Sequence, residues 1–98
     1  MRSVRSGDAG LVARFQVDYQ AAEPPYRQIA AYFRERIRKG EFPPGRRLPT
    51  ERDLTELWGV AATTTRRAMR LLAEEGWVTT TPGRGTHSRG VPPGRTGT

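Results

Sequence analysis

The sequence has no cysteine, which excludes a disulfide, a thiol nucleophile and a thiolate metal site. Its one histidine, His87, has no partner at metal-ligand spacing, so it reads as a surface residue and no metal is expected. No apolar run approaches the roughly 20 residues that a membrane span needs. The first residues also lack the apolar stretch of a signal peptide, so a cytoplasmic protein with no membrane partner is expected. Paired carboxylates, a nucleophile–base set and a phosphate-cradling glycine loop are all missing. Neither an enzyme nor a bound cofactor is therefore expected. Large apolar side chains are sparse at both ends of the 98 residues, leaving one domain with an ordered part of about 65 residues. That is room for three helices and a hairpin, and not for an enclosed active site as well.

Basic charge is present in excess: 17 Lys and Arg face 10 Asp and Glu, a formal net charge of +7. Residues 1–23 are balanced, with Arg2, Arg5 and Arg14 against Asp8, Asp18 and Glu23. The excess falls within residues 24–90 and clusters at Arg46–Arg47, Arg66–Arg70 and Arg84. A clustered excess fits a phosphate-facing surface better than an evenly solvated one. The near-exclusive use of Arg over Lys follows from a GC-rich genome equally well and carries no weight.

The pattern predicts a mainly α chain with one small β-hairpin. Residues 1–22 read as a mostly disordered arm in which 14–20 alternate Phe15, Val17 and Tyr19, a short extended segment against the domain. Residues 23–89 form the domain, and the Pro- and Gly-punctuated 90–98 read as a disordered tail. Helix one begins near Pro25, whose missing N–H is harmless at a first helical position. Tyr26, Ile29, Ala30, Phe33 and Ile37 make its apolar stripe, Gln28, Arg34, Glu35 and Arg38 its wet face, and Gly40 its stop. Arg46–Leu48 is expected as a short strand. Helix two starts at Thr50, with Asp53 completing a capping box. Leu54, Leu57 and Trp58 face inward, Gly59 turns the chain, and Val60 plugs the corner.

Helix three is expected from about Ala62 to Glu75, with Thr65, Ala68, Met69 and Leu72 on its core face. Thr63, Thr64, Arg66, Arg67 and Arg70 then lie off the core. Val78–Thr81, the turn Pro82–Gly85 and Thr86–Ser88 form the hairpin. Three helices followed by such a hairpin make a winged helix-turn-helix, which seats helix three in the major groove of double-stranded DNA. Arg there can fork a guanine, and a Thr methyl can touch a thymine methyl. From composition alone two readings stay open: a DNA-facing surface, or an indifferent helix start with a solvated Arg face. Likewise Gly83-Arg84-Gly85 is either a groove contact or merely a tight turn, and Arg52 either pairs with Glu56 one turn on or reaches the duplex.

From Pro25 to Thr86 the chain resembles the N-terminal winged-helix domain of the GntR family of bacterial transcriptional regulators. The resemblance is collinear over Tyr26-Arg27-Gln28-Ile29-Ala30, Gly40, Pro44-Gly45, Leu48-Pro49-Thr50-Glu51-Arg52-Asp53-Leu54, Gly59-Val60, Thr63-Thr64, Arg66, Gly76-Trp77 and Gly83-Arg84-Gly85-Thr86. It implies a repressor that binds a short palindromic operator as a dimer. It also implies DNA contacts from Arg52, Thr63, Thr64 and Arg66, with Gly83 and Arg84 at the wing tip. Together with the residues read from charge and position, the expected DNA-binding set is Arg47, Thr50, Arg52, Ala62, Thr63, Thr64, Arg66, Arg67, Arg70, Gly83, Arg84, Gly85 and Thr86.

Three departures stand out. Ala61-Ala62 replaces the family's usual Ser followed by a base-reading Arg or other polar residue. Arg67 stands where an acidic or polar residue is usual. The family's C-terminal effector and dimerisation domain is not expected, so no small-molecule effector is expected either. The competing reading is a winged helix used as a protein-interaction module, or as the DNA-binding subunit of a separate sensor.

Overall fold

The computed structural model describes residues 15–94. Helix α1 spans Pro25–Arg38, α2 spans Glu51–Trp58 and α3 spans Ala62–Glu75; strands β1, Val78–Thr81, and β2, Gly85–Ser88, follow. This is the expected winged helix-turn-helix, with β2 starting one residue earlier than expected. The disorder expected for residues 1–13, together with Arg14 and residues 95–98, falls outside the described residues.

Each helix end follows from local chemistry. Pro25 opens α1 at its first position, and Gly40 and Glu41 close it by donating to Ile37 and Arg36. In α2 the capping box is complete: Thr50 Oγ1 accepts from Asp53 N at 3.0 Å, and Thr50 N donates to Asp53 Oδ2 at 2.9 Å. Gly59 then donates to the Thr55 carbonyl, and the Thr55 hydroxyl donates to the Val60 carbonyl at 2.9 Å. That pair of bonds fixes the turn into α3, with Val60 buried beneath it. Gly76 ends α3 at φ 90, and a Cβ there would lie 3.3 Å from Pro92. Both the left-handed backbone and the close proline therefore call for glycine.

The buried faces interlock as one core. Ile29, Ala30, Phe33 and Ile37 of α1 meet Leu54 of α2, and Ala68, Met69 and Leu72 of α3, with Phe42, Leu48, Val60, Trp77 and Val78 closing the edges. Thr65 is fully buried on the α3 core face, as its spacing predicts. β1 and β2 pair antiparallel with Val78 opposite Ser88 and Thr81 opposite Gly85. On the far side of β2, residues 46–48 contribute a single bridge, Arg47 to His87, where a short strand was expected. Pro43 and Pro44, which lack N–H groups, and the turn at Gly45 leave too little regular backbone for a longer ladder.

Two segments are tied down more firmly than composition suggests. Phe15 packs between Tyr32 and Trp58, with both ring centroids at 4.6 Å, while Tyr19 remains 66% exposed. Gln28, expected on a wet face, uses its amide to hold the incoming chain. It accepts from Asp18 N at 2.8 Å and donates to the carbonyls of Asp18 and Glu23. Arg34, placed on the same face, reaches Glu75 of α3 at 2.9 Å. After β2 the chain does not come loose at Gly90, contrary to the tail expected from there on. Arg89 N donates to the Trp77 carbonyl, Gly90 N donates to Ser88 Oγ, and Gly90 and Pro92 are buried. A proline is already restricted in φ, so docking it against Gly76 costs little chain entropy.

Helix α3 starts without a side-chain cap, because Ala61 has no side-chain oxygen to offer. Ala61→Ser is therefore expected to stabilise the domain by about 1 kcal/mol. For a domain of this size that raises the midpoint of a thermal melt by roughly 4–8 °C. An unchanged midpoint would mean that the first N–H groups of α3 gain nothing from a cap.

Candidate nucleic-acid interface

An open groove of about 600 Å³ runs between the start of α2, one side of α3 and the hairpin. Its first wall is Pro49, Thr50, Glu51 and Arg52, and its second is Arg66, Met69, Arg70 and Ala73. The third is Thr80, Thr81, Pro82, Gly83, Gly85 and Thr86. Helical spacing explains the second wall: Arg66, Arg70 and Ala73 recur at i, i+4 and i+7 on one side of α3. Of the expected set, Thr50, Arg52, Arg66, Arg70, Gly83, Gly85 and Thr86 come together here.

Arg66 is the most constrained cation in the groove. Its Nε donates to Glu51 Oε2 at 2.9 Å and its Nη2 to Glu51 Oε1 at 3.0 Å, a two-pronged fork. Those hydrogen bonds first, and the carboxylate charge second, hold the guanidinium above its ordinary pKa, so Arg66 stays cationic. Arg52 projects into solvent with 85% of its side chain exposed and Glu56 3.9 Å away, a loose surface pair worth little. Arg70 is exposed and forms no ion pair among the described residues. Thr50 accepts a bond in its cap, which leaves its hydroxyl hydrogen available to a ligand.

The remaining expected residues do not line this groove. Arg67 turns to the α1 side of α3 and lays its guanidinium 4.1 Å from the centre of the Tyr26 ring. Arg27 donates to the same tyrosine hydroxyl at 3.2 Å. Tyr26 therefore serves a pair of cations, beyond the apolar stripe to which its spacing assigns it. Thr63 is exposed, while Thr64 and Ala62 are half-buried. At the hairpin, Gly83 and Gly85 take φ 79 and 93 and carry the exposed Arg84 between them. Arg47 lies beneath the tip, and a Cβ on Gly85 would meet its Nε at 3.0 Å. The hydroxyls of Thr80 and Thr86 join across the strands at 3.1 Å.

Sequence reasoning gave no role to Glu51, and no local signal offers one: its partner is 15 residues away on another helix. Among the described residues no group of three or more His, Cys, Asp or Glu is placed to hold a metal ion. None of the described helices is long and apolar enough to cross a membrane.

Three helices followed by a two-stranded hairpin agree with the fold of known proteins. The family model described as "Bacterial regulatory proteins, gntR family" matches residues 25–87. The chain belongs to the GntR family. It is similar to the fatty acid metabolism regulator protein of Vibrio cholerae, with 45% identity over 65 residues that cover 66% of this chain and 23% of that protein. It is equally similar to the mannosyl-D-glycerate transport/metabolism system repressor MngR of Escherichia coli K12, at 45% identity over 66% of this chain and 27% of that one. The chain thus spans about a quarter of the length of these curated relatives.

Among solved structures, YtrA from Sulfolobus acidocaldarius, a GntR-family transcription factor, superposes with a TM-score of 0.71. It is 33% identical over 78% of this chain and 80% of that one. The DNA-binding domain of AraR, solved in complex with operator ORE1, superposes with a TM-score of 0.67. It is 29% identical and covers 76% of this chain and 93% of that one. This GntR chain carries the winged-helix DNA-binding fold of transcription regulators.

Proposed function

We propose that this GntR domain recognises a short palindromic operator in double-stranded DNA and represses transcription from the cytoplasm, two copies sharing one site. Its α3 enters the major groove while the hairpin tip follows the neighbouring backbone or minor groove. The observation that supports this is the convergence of Arg52, Arg66, Arg70 and the tip glycines Gly83 and Gly85 around one groove. The AraR domain bound to its operator and the repressor name of MngR support the same direction. The DNA-binding set is the one named from sequence, with Arg66 and Arg52 nearest the base edges and Arg47, Arg67, Arg70 and Arg84 on phosphates. Ala62 and the Thr63 and Thr64 methyl groups suit thymine contacts.

Selection of bound duplexes from a random pool, followed by salt titration of the winner, tests the proposal. Recovery of a palindrome with a steep salt slope is expected, and no enrichment with no binding at low salt would leave a protein-interaction module instead. Within that assay Arg84→Ala is expected to weaken all duplexes alike. It should also flatten the log–log salt slope by about 0.9, the share of one phosphate. An unchanged slope would take Arg84 off the DNA.

A further inference from the structure

Glu51 raises a question that the proposed function leaves open. A carboxylate at the mouth of a groove meant for a polyanion repels phosphate, and this one sits among the arginines expected to bind there. Its geometry suggests what it contributes. A guanidinium has five N–H donors on two usable edges. Glu51 takes one edge of Arg66, Nε with Nη2, at 2.9 and 3.0 Å. The other edge, Nη1 with the second hydrogen of Nη2, stays open, and it is the edge that can fork guanine O6 and N7. Glu51 itself is set on a rigid base, because it follows the capping-box residue Thr50 at the first position of α2. One turn further along α3, Arg70 has no such acidic partner among the described residues.

Resting on the reading of Arg66 as a base contact, we propose that Glu51 is a positioning residue that sets sequence specificity. It fixes the guanidinium so that the free edge faces a guanine, and its charge discourages Arg66 from gripping phosphates on any sequence. A freely rotating Arg66 would spread its donors over the backbone, raising affinity for all DNA and lowering the contrast between sequences.

The test uses the full chain with Glu51→Gln, Arg66→Ala and the double variant. Each is titrated against the selected duplex and a scrambled duplex at several salt concentrations, with thermal melts confirming that all are folded. Glu51→Gln is expected to bind scrambled DNA several-fold tighter and to lower the selected-to-scrambled ratio by about tenfold. In the Arg66→Ala background the same change is expected to leave the ratio alone. An unchanged ratio for Glu51→Gln, or a tighter grip on both duplexes equally, overturns the proposal and leaves Arg66 untouched as a reader. An equal loss in the double variant's background shows that Glu51 does not act through Arg66 and overturns it too. If Arg66→Ala weakens both duplexes alike, the base-reading assignment fails and the role of Glu51 falls with it. Glu51→Asp, one methylene shorter, is expected to behave like Glu51→Gln in contrast but not in affinity for scrambled DNA.

Discussion

Arg66→Ala is expected to weaken binding to the selected duplex by roughly 10- to 100-fold more than binding to scrambled DNA, the worth of one bidentate base contact. The expectation follows from placement. Arg66 lies in the first half of α3, where a helix in the major groove comes closest to base edges. It faces the groove and is held by a fork that leaves one edge free. Arg70 is a turn deeper into the helix, so its removal is expected to cost affinity on every sequence alike. Duplexes with each guanine changed in turn would find the base that Arg66 reads. If Arg66→Ala lowers both affinities equally and flattens the salt slope, Arg66 is a phosphate anchor.

The contrast between Arg66 and Arg67 shows how far sequence goes. Spacing alone places both off the core face of α3, and the structure agrees that both are exposed. Spacing does not say that a 100° step turns one to Glu51 and the other to Tyr26, because each partner belongs to a separate helix. What repeats locally was legible: the bounds of α3, the capping box at Thr50 and Asp53, the left-handed Gly59, the buried Val60 and the hairpin. What depends on distant pairing was not. The Gln28 amide that holds the incoming chain, the Arg34–Glu75 bridge and the docking of Pro92 on Gly76 join positions that no window of sequence brings together. The Arg46–Leu48 segment fell between the two cases. A short strand was expected there, but a strand is made by its partner, and β2 meets it at one bridge only.

Phe33→Ala is expected to cost 3–5 kcal/mol, the usual range for emptying a buried aromatic site. Phe33 is wholly buried, and its ring meets Tyr32 at 5.2 Å and both Phe42 and Trp58 at 5.8 Å. It therefore joins α1, the loop after it and α2 at one point, and the same cluster seats Phe15. A small domain has a total stability of about 5–15 kcal/mol, toward the lower end at this size. Losing such a fraction lowers the melting midpoint by more than 10 °C, at roughly 4–8 °C per kcal/mol. DNA binding should fall with the folded fraction, on selected and scrambled duplexes in equal proportion, because Phe33 is buried in the core and no residue of α1 lines the proposed DNA groove. Tyr19→Ala, removing a ring that is 66% exposed, is expected to stay within about 0.5 kcal/mol and marks the surface baseline. Urea unfolding of the two variants side by side measures both effects. A loss under 1 kcal/mol for Phe33→Ala would mean that the aromatic cluster does not hold α1 against the helix-turn-helix, and that α3 is supported from elsewhere.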